Sequence, residues 1–562
     1  MKNKEVADIL YEIADYLEMQ DVDWKPRAYR KAARNIEGLS ETIEDIYESG
    51  ELGEIDGVGE NIENKVAEYL ETGEMQYHKQ LKEELPVDIE ALTVVEGLGP
   101  KRVKKIYQAT GVTNLDELEE AAENGEIAEI EGFGEKTQQN ILDHIETARK
   151  GEERMLIGKA FPIAENLREE LEESEKFNQV TLVGSFRRRR PTVGDIDILA
   201  TADDAEEAME EFTSGSDVKE VLGTGETKSS IIISGDLQVD LRIVDEDSYG
   251  AALQYFTGSK DHNVTLRTIA VNKDWKLNEY GLFDSEDNKL AGNTEELIYA
   301  KLQLDYIEPE LREDTGEVDA AAKGNLPDLV EEDEIKGDLQ MHTDYSDGRN
   351  TVEEMAEKAE ELGYEYILVT DHGHSLQIAS GVDEEELEEQ REEIDEVNRE
   401  FDVEVLQGVE ANIDDNGELD ISNEKLEELD LVVAALHNKI ENPTESIVKA
   451  LKEYPVDILA HPLNRKVSSR EPLDVDLDKI VEVAAEENVA LEINSQPARL
   501  DLPWRDVKEY RDKVDYVVST DAHSPSELEY MHLGVAQARR GWCEQENILN
   551  TLPLEKLKEK LR

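Results

Sequence analysis

The sequence predicts a multidomain chain with an all-α amino-terminal part, an α+β middle part and a carboxyl-terminal β/α barrel. Three observations predict this. A Gly-x-Gly segment recurs three times between helix-like runs before residue 150. Two acids one residue apart, Asp195 and Asp197, alternate with apolar residues, and a third, Asp240, sits in a second alternating run. Beyond residue 335, apolar strand-like runs alternate with helical ones and end in histidine or carboxylate.

The amino-terminal repeats are Ile55 to Gly59, Val95 to Gly99 and Ile130 to Gly134. In each, the first glycine (Gly57, Gly97, Gly132) permits a tight turn. The second (Gly59, Gly99, Gly134) lets backbone approach a phosphate, and the next helix offers free N–H groups. Their unequal spacing argues against a stacked solenoid. The segments resemble helix-hairpin-helix motifs, which hold DNA backbone without reading its sequence. Basic residues cluster nearby: Lys25, Arg27, Arg30, Lys31 and Arg34, then Lys101, Arg102, Lys104 and Lys105.

The middle part carries the most informative pattern. Strand side chains alternate faces, so Asp195 and Asp197 share one face while Ile196 and Ile198 enter the core. If the run Leu237 to Ile243 is a neighbouring strand, Asp240 joins them. Three converging carboxylates call for hard divalent cations. Upstream lie Gly184 and Ser185, then Arg187 to Arg190, a small residue, a hydroxyl and cationic forks suited to a triphosphate.

Here the chain resembles the family X DNA polymerases, relatives of DNA polymerase beta. The resemblance covers Gly184-Ser185-Phe186-Arg187-Arg188, Gly194-Asp195-Ile196-Asp197, Asp240-Leu241-Arg242 and Tyr255-Phe256-Thr257-Gly258-Ser259-Lys260 with Asn263. It implies that Asp195, Asp197 and Asp240 bind Mg2+, with Asp240 nearest the primer hydroxyl. Gly184, Ser185, Arg188 and Gly194 would hold the triphosphate. Tyr255, Phe256, Gly258 and Ser259 would lie under the sugar, and Asn263 would meet the base. Arg189-Arg190-Pro191 departs from the smaller, less basic loop of many relatives. The segment Trp24 to Ala33 resembles the phosphate-binding helix of the polymerase beta amino-terminal domain. There a lysine forms a Schiff base with a 5′-deoxyribose phosphate. The matching position is Lys65, read either as that nucleophile or as a solvated helix lysine; a second pocket position, often lysine, is Asn61.

In the carboxyl-terminal third, ligand-type residues close successive runs: His342 with Asp347, His372, Glu410, His437, His461, and Asp521 with His523. Such residues would ring the carboxyl mouth of a barrel, where barrel active sites lie. The set resembles the PHP (polymerase and histidinol phosphatase) domain and implies bound metals that hydrolyse phosphoesters. Mixed imidazole and carboxylate donors suit Mn2+ or Zn2+. The opening His-x-His of that family reads Gln340-Met341-His342 here, and His374 is expected outside the ligand set.

The expected domains are 1–85 and 86–150 (both helix-hairpin-helix, the first lyase-like), 151–247 (nucleotidyltransferase palm), 248–315 (thumb), 316–334 (linker) and 335–562 (PHP). Cys543 is the single cysteine, so no intrachain disulfide forms. No run is long enough to span a bilayer and no signal-peptide pattern opens the chain, so a cytoplasmic monomer without membrane partners is expected. The net charge is −76, from 136 acids and 60 bases. Self-repulsion on this scale opposes compaction in dilute buffer. Molar salt shortens the Debye length to ~3 Å and removes most of it, so a halophilic setting is expected. Phosphate attraction also fades with salt, so bases should persist where phosphate is touched.

The implied activity is template-directed filling of short gaps, using gapped or nicked DNA and dNTPs. The barrel would trim 3′ ends as a 3′-5′ exonuclease. A template-free nucleotidyltransferase and a non-catalytic DNA scaffold are the rival readings. The three hairpins and Tyr255 to Lys260 oppose the first, and the intact acids oppose the second.

Overall fold

The computed structural model describes residues 2–561 apart from 21, 23–24, 38–42, 51, 56, 74, 90–91, 93–97, 131, 135–136, 139–140, 143–153, 236, 377–378, 380 and 439. The chain forms two compact units, Met1–Arg154 and Met155–Arg562.

The first unit is helical. Lys2–Met19 aligns Val6, Leu10, Ile13 and Leu17 on one face by their spacing of three and four, and all are buried. That face packs on Lys25–Glu37, which buries Ala32, Ala33 and Ile36. The two expected halves share one core, which runs from Val6 through Val87 and Val103 to Ile141. The helices Glu60–Thr72 and Pro100–Thr110 begin and end alike. Gly59 and Gly99 cap them in extended backbone, and Gly73 and Gly111 close them in the left-handed region.

The second unit begins with a five-stranded sheet in the order Gln179–Leu182, Ile196–Thr201, Gln238–Ile243, Lys228–Ile233, Val218–Thr224. Ile196–Thr201 and Gln238–Ile243 run parallel, and the other neighbours are antiparallel. Alternation puts Ile196, Ile198, Val239 and Leu241 in the core, against Ala160 and Ala164 of the helix Ile157–Glu173.

The thumb follows. Its helices Tyr249–Thr257, Lys260–Val271 and Glu295–Leu302 pack with a three-stranded sheet around Leu266, Leu282, Ile298 and Tyr299. The segment 316–334 is packed, not a free linker. Glu317–Lys323 is a helix whose Val318 and Ala321 join the thumb core, and Val330 joins the barrel core. Its polar composition conceals a buried Glu317, whose carboxylate lies 2.7 Å from His262 Nδ1.

The last third is built from parallel strands. Gly337–Met341, Tyr366–Val369 and Glu404–Gln407 form one sheet. Glu410–Asn412, Val433–Ala435, Ile458–Leu459, Ala490–Asn494 and Tyr516–Ser519 form the other. Bridges His372–Glu410 and Met341–Ala522 join the sheets at both edges into a ring. Helices cover the strands, which explains their unbroken apolar runs. This ring also grips the palm and thumb. Arg540 donates to the Arg188 carbonyl and, at 3.2 Å, to Glu313 Oε1, while Arg539 reaches Glu310 at 3.0 Å.

Candidate active sites

The palm acids meet because of register. Asp197 stands directly opposite Asp240 on the two parallel strands. Asp195 lies just before the first of these strands. Burial, then the charges of Asp195 and Asp240, push the Asp197 carboxyl up to about 7. Burial acts the same way on Asp240 but is outweighed by Lys228, whose Nζ lies 2.7 Å from Oδ2, and by Gln238, which donates to Oδ1 at 2.9 Å. The site thus gathers more negative charge than its protein cations neutralise, which fits divalent metal.

Gly184 has φ 64°, and a Cβ there would collide with the Asp197 carboxylate. Only glycine lets the turn carrying Ser185 approach this close. Arg187 and Arg188 then diverge. Arg187 forks onto Glu295 at 2.7 and 3.0 Å and donates to Thr257 Oγ1 at 2.7 Å. Arg188 is buried; its Nη1 donates to the Thr257 carbonyl and its Nε to Glu313 at 3.2 Å. Arg189 lies over the rings of Phe161 and Phe186, which gives the unusual basic loop a packing role.

The segment after the palm is tied to the same place. Tyr255 and Phe256 pack edge to face, and Arg242 lies over the Phe256 ring. Gly258 has φ 68°, its bond to Ser259 is cis, and Ser259 caps Lys260–Val271 through the His262 N–H. The Asn263 amide donates to the Tyr255 carbonyl at 2.7 Å and accepts from Gln254 at 2.6 Å. Both ends of that amide are therefore engaged within the protein.

In the barrel, all eight expected ligands converge. Glu410 is central: Oε1 lies 3.0 Å from His461 Nε2 and 3.2 Å from His437 Nε2, and Oε2 lies 2.9 Å from His372 Nδ1 and 3.5 Å from His342 Nε2. His342 also meets Asp521 at 3.2 Å, and Asp347 lies 3.5 Å from His372 and 3.4 Å from His523. Two sets of donors within metal-binding reach emerge: His342, Asp347, His372 and His523, and His372, Glu410 and His437. Despite these short separations, His372 Nδ1, His437 Nε2 and Glu410 Oε2 are buried atoms without a well-aligned hydrogen bond among the described residues. Burial opposes charge on Glu410, yet His372 and His437 hold its carboxyl well below the usual range. Such a donor set fits bound cations. His374 is exposed and lies in neither set.

Gln340 is fully buried and, among the described residues, both ends of its amide lack partners, so the departure from His-x-His leaves an unused polar group near the carboxyl end of its strand. Three further residues escaped the sequence reading. Glu492 accepts from the His461 N–H at 2.6 Å, with its carboxyl raised well above the usual range by burial and then Asp521. Arg499 lies 3.4 Å from Asp521, and Lys228 meets Asp240. Charge pairs across such separations leave no local pattern. Strand alternation could have flagged Glu492, two residues before Asn494.

In the helical unit, Gly57 and Gly132 make the expected left-handed turns, and a Cβ on Gly59, Gly99 or Gly134 would meet open space. Those three backbones are approachable from outside. Gly97 and Trp24 lie outside the described residues. Lys25 opens its helix and is exposed, as is Lys31, whose side-chain carbons border Gly57. Arg30 is held inside the unit by Asp15 at 2.5 Å and Glu18 at 2.6 Å. Lys65 donates to the Asn61 carbonyl at 3.1 Å and lies over the Tyr77 ring. Burial and then the Lys25 charge lower its pKa.

Comparisons with known proteins cover all these parts. Residues 1–75 match a helix-hairpin-helix domain and 89–147 a SAM-like helix-hairpin-helix tandem. Residues 160–252 match the DNA polymerase beta palm, 252–313 its thumb, and 338–496 the PHP domain. The chain is 36% identical over 565 residues, 99% of its length and 98% of the relative's, to the Bacillus subtilis protein named DNA polymerase/3′-5′ exonuclease PolX. It is 24% identical over 343 residues to DNA polymerase lambda of Rattus norvegicus, 55% of this chain and 56% of the relative. A probable phosphatase of Acetivibrio thermocellus is 36% identical over 153 residues, 26% of this chain and 59% of the relative. With palm, thumb, hairpins and barrel matched from end to end, the chain belongs to the family X DNA polymerases that carry a carboxyl-terminal PHP domain.

Proposed function

We propose that this chain is a template-directed DNA polymerase that fills short gaps during repair, and that its barrel is a metal-dependent 3′-5′ exonuclease. The observation that carries the first part is the pairing of Asp197 with Asp240 across adjacent parallel strands, with Gly184 pressed against Asp197. Asp195, Asp197 and Asp240 would hold Mg2+. Metal held by them would supply activation of the primer hydroxyl and charge stabilisation for the departing pyrophosphate. Ser185 and the amides of the Gly184 turn would hold the triphosphate, with Arg188 behind them. Lys228 keeps Asp240 ionised, ready to receive the primer proton.

In the barrel, His342, Asp347, His372, Glu410, His437, His461, Asp521 and His523 would hold Mn2+ or Zn2+, which supplies the hydrolytic nucleophile. The partners are gapped DNA and dNTPs; a monomer, a halophilic cell and a cytoplasmic location complete the reading. The lowered Lys65 pKa supports a 5′-deoxyribose-phosphate lyase as an accessory activity, because a neutral amine is the nucleophile.

The test is a gapped duplex with a labelled primer at molar salt, with and without dNTPs, in magnesium or manganese. Asp197→Asn should abolish extension and spare 3′ trimming. His372→Ala should do the reverse. Extension by Asp197→Asn at the parental rate ends the polymerase assignment.

A further inference from the structure

The second ring nitrogen of His437 has no part in the roles above. Nε2 lies 3.2 Å from Glu410 Oε1, within the donor set of His372, Glu410 and His437. Nδ1 lies 3.1 Å from Oδ1 of Asn412, the last residue of the strand Glu410–Asn412. A neutral imidazole carries one proton, and only its bare nitrogen can bind a cation. Which nitrogen is bare therefore decides whether His437 can serve.

The groups behind Asn412 fix the answer. The bridge Ile413–Leu419 folds the chain back and brings Asp420 beside the strand, where its Oδ1 accepts the Asn412 N–H at 2.9 Å. Its Oδ2 accepts the Ser375 N–H at 3.0 Å and the Ser375 hydroxyl at 2.7 Å. A Cβ on Gly373 would come within 2.6 Å of both oxygens, so glycine there makes room for the carboxylate. An ionised carboxylate only accepts. The Ser375 hydroxyl therefore directs its proton to Asp420 and can only accept from its other neighbour. That neighbour is the Asn412 amide at 3.3 Å, so the end facing Ser375 is Nδ2. Oδ1 then faces His437, where it only accepts. This places the His437 proton on Nδ1 and the lone pair on Nε2. Two acceptors, Nε2 and Glu410 Oε1, face each other across 3.2 Å, an arrangement that a bound cation relieves.

We propose that Asp420, Ser375 and Asn412 are positioning residues that hold His437 as an Nε2 donor and so set the affinity of the cation held by His372, Glu410 and His437. The proposal rests on the reading of the barrel as a metal centre. His437 belongs to that set alone, whereas His342, Asp347 and His523 belong to the other. His372 belongs to both and is anchored separately, since the Gly373 N–H donates to the Glu410 carbonyl at 3.1 Å. Without the relay the ring exchanges tautomers, and the fraction with a bare Nε2 falls. Disturbing the relay therefore weakens one cation and spares the other.

The experiment titrates the metal-stripped full-length chain with Mn2+, reading the free ion by electron paramagnetic resonance, and in a second series with Zn2+ against a chelating dye. Molar salt suppresses binding by exposed acids. Asn412→Leu removes the acceptor, Ser375→Ala removes the relay, and Ser375→Thr keeps the hydroxyl at an exposed position. The parent should bind a cation at each donor set. Asn412→Leu should weaken one of them about 10–100-fold and hold the other within about twofold. Ser375→Ala should weaken the same cation about fivefold, and Ser375→Thr should match the parent. Parental affinity in either Asn412→Leu or Ser375→Ala overturns the relay. So does an equal loss at both cations, or a loss in Ser375→Thr as large as in Ser375→Ala. A parent that takes up neither Mn2+ nor Zn2+ fails the metal reading itself, whereas a parent that binds both cations beside unchanged variants fails the relay alone.

Discussion

Replacing Glu295 with glutamine should unfasten the thumb from the palm. Glu295 is 4% exposed and accepts from Arg187, from Arg312 at 2.5 Å and from the Tyr306 hydroxyl at 3.2 Å. Arg312 is fully buried and, among the described residues, pairs with no second carboxylate. An amide of the same shape leaves two guanidiniums without a counter-charge, a change that costs about 3–5 kcal/mol. The carboxyl itself gives a second figure. Burial opposes its charge, but Arg312 and Arg187 bring its pKa from 4.5 to about 2. At 1.36 kcal/mol per tenfold change in proton affinity, that is roughly 3 kcal/mol. The sign follows from the depression: the stabilisation is complete above pH 4.5 and disappears as pH falls toward 2. Urea unfolding at molar salt is the assay, with tryptophan fluorescence followed at pH 7 and at steps below 4.5. The variant should be less stable by roughly 3 kcal/mol at pH 7, and the gap should narrow in acid. A gap under about 1 kcal/mol at pH 7, or one that widens in acid, refutes the reasoning.

Gly184→Ala should abolish extension while leaving 3′ trimming intact, because the added carbon meets Asp197 and φ 64° disfavours alanine; primer extension on gapped DNA measures it. Arg540→Met should destabilise the second unit by roughly 2–4 kcal/mol by removing the donor to Arg188 and Glu313; urea unfolding should show barrel and palm separating into two transitions. Dilution from molar to millimolar salt should abolish the cooperative melt, as follows from the net charge of −76; circular dichroism across a salt series checks it. Lys65→Ala should remove any 5′-deoxyribose-phosphate release and any borohydride-trapped adduct with DNA, with extension unchanged.

The parts legible in the sequence are those governed by local period. Asp197 and Asp240 read as strand acids because side chains alternate, although Asp195, expected on the same strand, falls one residue before it, and His372, His437 and His461 read as barrel-mouth residues because apolar runs end there. The repeated glycines read as turns because φ 88° at Gly57 and 93° at Gly132 suit no other residue as well. What stayed hidden was carried by distant pairs. Arg187 and Glu295 are 108 residues apart, and Arg540 and Arg188 are 352 apart. Gly-Ser-Phe-Arg-Arg reads as a phosphate loop, yet Arg187 faces the thumb. Glu317 looked like linker because its partner, His262, lies in another helix.

These hidden pairs account for some of the bases that a strongly acidic chain keeps. In high salt an exposed cation gains little from either DNA or a surface carboxylate, since screening removes both attractions. A cation contributes where water is excluded or where geometry fixes the contact. Arg312 and Arg540 satisfy the first condition, at 0% and 2% exposure. Arg499 and Arg470, converging on one asparagine oxygen, satisfy the second. Arg540 has a further consequence. It joins the barrel to the backbone of Arg188 and to Glu313, which also holds the Arg188 side chain. The loop beside the palm acids is therefore supported from the barrel, within the one compact unit that carries both centres.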